Sequence, residues 1–396
     1  MIHITPYKTL LAKFYTYAAF NDFILIYPFY TLLFADTGIT PPQIATLLIA
    51  WSGTAFLLEV PSGAIADKFN RRNVLAVAIL IQMLAFATWL FFQSYWGFFA
   101  GFVLWGVSSA LTSGTKEALL YDELAKLKRL PLYAKINGRM EALSLGATVL
   151  AYLLASLLAE YGYSLALILS ILALFICFVA IITLPNSKRR ESTGETGYFA
   201  YFKEGILNAI KRPAVLLMVV FIGITALGAI DEYFGLLLRE KSFDNSQVAF
   251  WSAVITAFGI AGSLIAYKLE NKKLPLELLL VVWAVLLFVA VSTSGLMSPL
   301  FLGLFIMLYY VLKVVFTARL QHIVDDKTRA TTTSVGGFLE ELFAIIAFAI
   351  VGFAAGEESY QQSLGVLAII IAFSAVLFWL FARVLNKQKE IKKLGL

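Results

Sequence analysis

Residues 63–72 read Gly63-Ala64-Ile65-Ala66-Asp67-Lys68-Phe69-Asn70-Arg71-Arg72 and connect two long apolar runs, at 43–62 and 73–92. A short polar connection between two apolar runs of this length predicts a hairpin of membrane-spanning helices. Asp67 can accept charge-assisted hydrogen bonds from a cation or cap the N-terminus of another helix. Such a contact can form in one conformation and break in another.

The composition of the whole chain fits a membrane protein. Of its 396 residues, 60% are hydrophobic and 14% are charged, and the mean hydropathy is +0.84. A soluble protein carries about a quarter charged residues, so disordered, collagen-like, disulfide-rich and ordinary soluble enzyme chains are excluded. Cys177 is the single cysteine, and His3 and His322 are the only histidines, so we expect no metal site and no cofactor.

Twelve apolar stretches are long enough to cross a bilayer as helices. A spanning helix needs about 20 apolar residues, whereas the strands of a membrane barrel alternate apolar and polar residues. The stretches are unbroken, which predicts an all-α membrane protein with twelve transmembrane helices in two pseudo-symmetric six-helix bundles. We expect the spans at 10–34, 43–62, 73–92, 97–119, 137–158, 164–184, 213–237, 247–268, 275–294, 299–320, 331–354 and 362–384.

The uneven distribution of lysine and arginine predicts the orientation of the chain. With a cytoplasmic N-terminus, only Arg239 and Lys241 of the 31 basic residues lie in outer loops, and Lys313 lies inside a span. Because basic residues concentrate on the cytoplasmic side, we expect both termini in the cytoplasm, at the inner or plasma membrane of a bacterium. The net charge of +6 is therefore a topology signal, and no basic domain indicates a nucleic-acid partner.

A polar stretch divides the spans six and six. Residues 191–197 read Glu-Ser-Thr-Gly-Glu-Thr-Gly, which is typical of a linker, and apolar residues recur at helical spacing over 199–210. That pattern predicts an amphipathic helix on the inner membrane face or, alternatively, one packed on the bundle. We predict an N-terminal bundle at 1–185, a cytoplasmic linker with an amphipathic helix at 186–212 and a C-terminal bundle at 213–396, in a monomer.

Residues 63–72 resemble the signature loop of the major facilitator superfamily, G-x-x-x-D-[RK]-x-x-[RK]-[RK], at the position where that family carries it. The resemblance implies a secondary transporter that works by alternating access, with spans 1, 4, 7 and 10 lining a central cavity. We expect Gly63 to allow close approach of a neighbouring helix, and Lys68, Arg71 and Arg72 to hold the loop at the cytoplasmic face.

Further segments resemble the drug/proton antiporter-like members of that family. They are Glu59–Gly63, 114–122 and Arg329–Thr331. Other features depart from that branch, since the arginine expected in span 4 is replaced by Phe102 and span 5 lacks the Gly-Pro pair. The export direction therefore stays open in the sequence.

Several charged residues lie near the expected cytoplasmic ends of spans 2, 4 and 5. We interpret Asp67, Arg71, Glu117 and Arg139, together with neighbouring acids, as an inner conformational gate. Solvated charges at helix ends are the alternative.

Six acidic or basic residues lie inside the spans away from the expected cytoplasmic ends, where each charge costs several kcal/mol unless it is paired or hydrated. Asp22 is expected at the midpoint of span 1, with Tyr15 and Tyr30 on the same face. The other five are Asp231, Glu232, Lys313, Glu340 and Glu341. Lys313 can pair with Glu340 or Glu341, and this ion pair can be purely structural.

Five acids against one lysine leave a surplus of carboxyl groups, and a carboxylic acid without a cation favours its protonated form in a low-dielectric site. Proton and cationic substrate can then compete for one carboxylate, and Asp22 is the best candidate. Asn21, Tyr30, Trp105, Tyr309 and Tyr310 are candidate pocket residues. The alternative is packing, since the chain has 33 Phe, 18 Tyr and 7 Trp.

The sequence therefore predicts proton-coupled export of small amphipathic or cationic compounds, with a small molecule, protons and the lipid bilayer as partners. Uptake or facilitated diffusion of a small metabolite, or lipid translocation, are the alternatives. The chain has no phosphate-binding loop of the type G-x-x-x-x-G-K-[ST], and neither H-E-x-x-H nor G-x-S-x-G. We therefore expect neither ATP-driven transport nor enzyme activity.

Overall fold

The computed structural model describes residues 7–184, 212–269, 274–324, 329–356 and 359–386. All regular elements in these ranges are helices. The first half contains α1 (Tyr7–Asn21), α2 (Tyr30–Asp36), α3 (Pro41–Lys68), α4 (Arg71–Phe91), α5 (Tyr95–Thr112), α6 (Thr115–Lys126), α7 (Tyr133–Leu157) and α8 (Gly162–Ile182). The second half contains α9 (Pro213–Thr225), α10 (Phe234–Glu240), α11 (Asn245–Leu269), α12 (Leu276–Ser292), α13 (Met297–Ile323), α14 (Arg329–Ala355) and α15 (Tyr360–Asn386).

The apolar helices agree with the all-helical membrane fold expected from the sequence. Within the described ranges, ten helical stretches are long and apolar enough to cross a membrane, and Leu276–Ser292 is a shorter apolar helix. The remaining predicted span, 10–34, is divided between α1 and α2. Short polar residues set several boundaries: the Asn70 side chain caps α4 by accepting a hydrogen bond from Arg72 N at 3.0 Å.

Three spans that we predicted as continuous helices are broken. Residues 22–29 separate α1 from α2, and Pro28 within this segment disfavours helix at the residue before it. Gly114, with φ of 69°, separates α5 from α6. Two 3₁₀ turns, Ala226–Gly228 and Asp231–Tyr233, separate α9 from α10.

The chain forms two compact units. The first compact unit comprises 1–39, 46–194 and 244–253, and the second comprises 40–45, 195–243 and 254–396, each within its described residues. The predicted linker at 186–212 lies outside the described residues except for Arg212, so the predicted boundaries at 185 and 213 stay a prediction.

The same helix packing recurs in the two units. In the first, α4 packs against α5 and α8, and α1 packs against α7. In the second, α12 packs against α13 and α15, and α9 packs against α14. The first predicted span of each bundle, 10–34 and 213–237, is also interrupted in both. This repetition agrees with the predicted pseudo-symmetry of the two bundles.

Lys241 has a structural role in the second compact unit. Its ammonium group donates hydrogen bonds to the carbonyl oxygens of Val291 at 2.8 Å and Thr293 at 2.6 Å, at the C-terminal end of α12. Burial lowers the pKa of Lys241, and the neighbouring Glu240 partly opposes this effect. One of the two basic residues expected in the outer loops therefore caps a helix.

Candidate functional site

The break in the first compact unit presents Asp22 directly after the end of α1. Ser144 of α7 donates a hydrogen bond to the carboxylate, and Asn21 Nδ2 donates another at 3.3 Å. Thr148 Oγ1 lies 3.4 Å from the Asp22 backbone carbonyl oxygen. All these partners are neutral, and no Lys or Arg in the described ranges forms an ion pair with Asp22.

The predicted position of Asp22 within span 1 was wrong in its local detail. The helix ends at Asn21, so Tyr30 does not share a helical face with Asp22 but begins the separate helix α2. The broken backbone is held by hydroxyl groups, because Ile26 N donates to Ser170 Oγ at 3.1 Å. The break therefore surrounds a lone carboxylate with hydroxyl and amide groups instead of a regular helix.

The second compact unit places two acids at its own helix break. Asp231 and Glu232 belong to a 3₁₀ turn. The continuous helix that we had predicted at this position is therefore wrong. Asp231 is exposed and Glu232 is half-buried. The next residue, Tyr233, anchors the turn by donating a hydrogen bond to Phe348 O of α14 at 2.8 Å.

An ion pair neutralises one acid of the second compact unit. Lys313 Nζ of α13 lies 3.0 Å from Glu340 Oε2 of α14. Of the two partners left open by the sequence, the structure selects Glu340. Glu341 is half-buried on the adjacent position of α14.

Tyr309 and Tyr310 lie near these charges. Tyr309 is buried and stacks on Trp283 at 6.4 Å between ring centroids. Tyr310 lies over Gly259, where an added Cβ would be 2.9 Å from its ring. Both rings therefore have packing roles, which is the alternative that the sequence left open for them.

Trp105 and Tyr30 belong to an aromatic cluster in the first compact unit. Trp105 stacks on Tyr27 at 5.3 Å and on Phe102 at 5.8 Å between ring centroids. Tyr30 is 2% exposed. The hydroxyl of Tyr30 and Nε1 of Trp51 are buried without a hydrogen-bond partner in the described ranges. Buried polar atoms usually have hydrogen-bond partners. These two hydrogen-bond donors beside Trp105 are therefore unusual.

The motif at 63–72 is mostly helical. Helix α3 continues to Lys68, and a connection of only two residues, 69–70, precedes α4. The side chain of Asp67 lies outside the described part. An added Cβ at Gly63 would meet no described atom within 4 Å, so the close helix approach that we expected at this glycine is wrong for the described residues. Lys68 is exposed, with its ammonium 5.9 Å from the centroid of the Phe69 ring.

The two arginines of the motif bind other helices of the same unit. Arg71 forms an ion pair with Asp122 of α6 and lies 3.4 Å from the carbonyl oxygen of Ala118. Arg72 Nη1 donates to Leu184 O, after the end of α8, at 2.9 Å. Together they connect the start of α4 to α6 and α8.

A second charge group lies between α6 and α7. Lys116 Nζ is 2.9 Å from Glu141 Oε1 and 3.3 Å from Glu117 Oε1. Arg139 is exposed and makes no ion pair with any residue that the structure describes. The predicted gate network thus contains two separate groups of contacts, and Arg139 joins neither.

Residues that sequence analysis missed complete the surroundings of Asp22. Ser144 and Thr148 lie in an apolar span, where a hydroxyl commonly binds its own helix backbone, so neither residue stood out in the sequence. Pro28 was a usable signal for the helix break. No group of His, Cys, Asp or Glu within the described ranges is arranged to hold a metal ion.

Comparison with known proteins decides the family. The sequence profile of the Major Facilitator Superfamily matches residues 14–347, which is most of the chain. This chain belongs to the Major Facilitator Superfamily. It is accordingly a multi-pass membrane protein. Both the helix packing within the units and the motif at 63–72 agree with that assignment.

Two relatives within this superfamily come from Bacillus subtilis (strain 168). The uncharacterized MFS-type transporter YqjV is 31% identical over 114 residues, which cover 29% of this chain and 27% of YqjV. The uncharacterized MFS-type transporter YhjO is 24% identical over 214 residues, which cover 54% of this chain and 50% of YhjO. The similarity thus spans half or less of each curated relative.

Solved transporter structures share the fold over nearly the whole chain. The nucleoside transporter NupG has a TM-score of 0.74 at 15% identity, covering 94% of this chain and 98% of NupG. A bacterial homologue of the human lysosomal transporter Spinster has a TM-score of 0.76 at 16% identity, covering 96% and 97%. A D-xylose–proton symporter has a TM-score of 0.69 at 13% identity, covering 94% and 97%.

Proposed function

We propose that this superfamily member is a proton-coupled secondary transporter that works by alternating access and exports small amphipathic or cationic compounds. The observation that carries the proposal is the environment of Asp22. It is an acid within a membrane-spanning region whose described hydrogen-bond partners, Ser144, Asn21 and Thr148, are all neutral.

The energetics of a lone carboxylate provide the coupling. An ionised group in a membrane interior costs several kcal/mol unless a counter-charge or water stabilises it. Either a proton or a cationic substrate can remove that cost at Asp22. The two then compete for one carboxylate, and a site neutralised by either one can change its orientation in the membrane.

Glu340 supports the proposal by contrast. Its carboxylate forms an ion pair with Lys313 at 3.0 Å, so its negative charge is balanced within the protein. Lys313 is likewise engaged, which disfavours it as the contact for an anionic metabolite. We therefore assign proton coupling to Asp22 and treat the pair of Lys313 and Glu340 as structural.

The aromatic cluster supports an amphipathic substrate. The half-buried rings of Tyr27 and Trp51 lie against the buried ring of Trp105. The buried hydroxyl of Tyr30 and the indole of Trp51 are donors without a partner in the described ranges. A substrate with an apolar ring and a hydrogen-bond acceptor would satisfy both features.

Direction and setting are part of the proposal. The segments similar to drug/proton antiporter-like members favour export, and the concentration of basic residues on one side favours cytoplasmic termini. The relatives in Bacillus subtilis favour a bacterial plasma membrane. We expect a monomer, because each compact unit has its own core of buried apolar side chains.

Proteoliposomes with imposed pH gradients test coupling and direction together. A thermal-shift screen of lipophilic cations and neutral amphipathic compounds selects the substrate, whose counterflow is then measured with gradients of each sign. Antiport predicts that the substrate accumulates in the compartment that is more acidic and moves protons in the opposite direction. Accumulation in the alkaline compartment would indicate symport and uptake, and no response to either gradient would refute proton coupling.

A further inference from the structure

A groove between α1 and α8 opens on the surface of the first compact unit. Its volume is about 330 Å³, and it is lined only by residues of these helices and Thr183, which follows α8. Neither Asp22 nor any residue of the aromatic cluster lines it. The groove is therefore separate from the site proposed for transport.

One wall of the groove, on α1, is polar. Thr9, Ala12, Lys13 and Thr16 line it, and their spacing of three and four residues puts them on one helix face. Lys13 Nζ donates one hydrogen bond to the backbone carbonyl oxygen of Thr183. An ammonium group has three protons, so two remain for a ligand. The hydroxyl groups of Thr9 and Thr16 make no hydrogen bond within the described ranges and can also donate.

The opposite wall, on α8, is apolar and accessible. Phe175, Ile176 and Val179 line it and are 50%, 41% and 42% exposed. Phe175 and Val179 are about 6 Å apart along the helix axis, given a rise of about 1.5 Å per residue. The groove thus has a cationic, hydroxyl-rich wall on α1 and an apolar wall on α8.

The positive charge of the groove favours amphiphiles with an anionic head group over those with a zwitterionic one. Lys13 is its one charged lining residue, and none of the described lining residues is acidic. A zwitterionic head group brings its own cation, which would find no carboxylate here. An anionic head group would instead match the positive charge.

We propose that this groove binds one anionic phospholipid from the membrane leaflet at this end of the bundle. The phosphate accepts hydrogen bonds from Lys13 and from the hydroxyl of Thr9 or Thr16. The first part of one acyl chain lies against Phe175 and Ile176. The ligand is a membrane lipid with a net negative charge, and it connects the polar face of α1 to the apolar face of α8.

Native mass spectrometry of the full chain tests the proposal. Phosphatidylglycerol and phosphatidylcholine with identical acyl chains are titrated into the detergent-solubilised protein. We expect a preference for phosphatidylglycerol that Lys13→Gln lowers about fivefold, the effect of about one basic residue beside an anionic lipid. Lys8→Gln is the matched control, because Lys8 is exposed on the same helix but does not line the groove. It should leave the preference unchanged.

Two further variants separate a lipid site from a structural role of Lys13. Lys13→Arg keeps the charge and should retain the preference, even if the hydrogen bond to Thr183 is altered. Ala12→Phe keeps every charge but fills the groove, and should weaken binding of phosphatidylglycerol. Equal binding of the two lipids, equal loss in Lys8→Gln, or undiminished binding in Ala12→Phe would each overturn the proposal in favour of a non-selective lipid shell.

Discussion

Ser144 of α7 donates a hydrogen bond to the carboxylate of Asp22, 122 positions earlier in the chain. The contact joins the end of α1 to α7, which packs against it. A hydroxyl that donates to a carboxylate stabilises the ionised form. Ser144 therefore opposes the uptake of a proton by Asp22, and its removal should be visible in the pH dependence of transport.

Ser144→Ala should shift the pH profile of proton-driven transport to higher pH. A hydrogen bond to a charged group contributes about 1.5 kcal/mol, and this corresponds to a shift of about one pH unit. The measurement is the initial rate of gradient-driven transport in proteoliposomes from pH 5 to pH 9. Ser156→Ala is the control, because the Ser156 hydroxyl on the same helix bonds to Ser246 O at 2.8 Å and not to Asp22. A profile that does not move in Ser144→Ala would remove Ser144 from the account.

The ion pair of Lys313 with Glu340 predicts how single and double variants change the thermal stability of the protein. Lys313→Gln alone leaves a carboxylate without its cation and should lower the thermal midpoint, as should Glu340→Gln. The double variant should recover most of the loss, with a coupling energy of about 1–2 kcal/mol. Thermal unfolding in detergent measures these values.

The same double variant tests the assignment of roles. Because we treat the pair as structural, Lys313→Gln/Glu340→Gln should keep proton-driven transport at a level near that of the wild type. Loss of coupling with substrate binding intact would instead make Glu340 a proton carrier.

The close packing around Gly106 predicts that a side chain at this position destabilises the first compact unit. A Cβ at this position would lie 2.7 Å from the carbonyl oxygen of Trp51 and 2.8 Å from Cβ of Thr54, both on α3. Gly106→Ala should therefore destabilise the protein by about 1–3 kcal/mol. At Gly146, within α7, a Cβ would meet no described atom within 4 Å.

Gly146→Ala is the matched control for that prediction. It removes a glycine from a helix interior without a clash and should stabilise the protein by up to about 1 kcal/mol. Thermal unfolding of the two variants under one condition gives the comparison. Equal effects at the two positions would show that α5 and α3 are not packed as described.

Asp67→Asn tests the gate that the motif at 63–72 predicts. We expect at least a tenfold loss of turnover, equivalent to about 1.4 kcal/mol, with little change in substrate affinity. Transport rates give turnover and equilibrium binding to the purified protein gives affinity. The control is Glu160→Gln, an exposed acid in the 3₁₀ turn before α8. Turnover that is unaffected in Asp67→Asn would refute a gating role.

The sequence was sufficient for most spans because their signal is additive over about 20 residues. The span expected at 275–294 is observed as Leu276–Ser292, and the span expected at 247–268 as Asn245–Leu269. The helix breaks were missed because hydropathy does not register backbone geometry. Pro28 was a local signal for the first break. The break between α9 and α10 depends on tertiary packing, since a Cβ at Gly228 would lie 2.3 Å from the ring of Trp283.

The acids of the candidate site were found from the sequence, but their partners were not. A charge in an apolar span is conspicuous at any position. Its partner depends on helix rotation and on which helices are neighbours, and neither is fixed by hydropathy. That is why the choice of Glu340 over Glu341, and the contact of Ser144 with Asp22, required coordinates.

The most direct test of the account is gradient-driven transport by Asp22→Asn in proteoliposomes, with Glu160→Gln as the control and substrate counterflow measured in parallel. We expect Asp22→Asn to lose the response to a pH gradient while it retains counterflow, because an amide cannot exchange a proton in this range. Glu160→Gln should keep both activities. Full gradient-driven accumulation by Asp22→Asn would contradict the account.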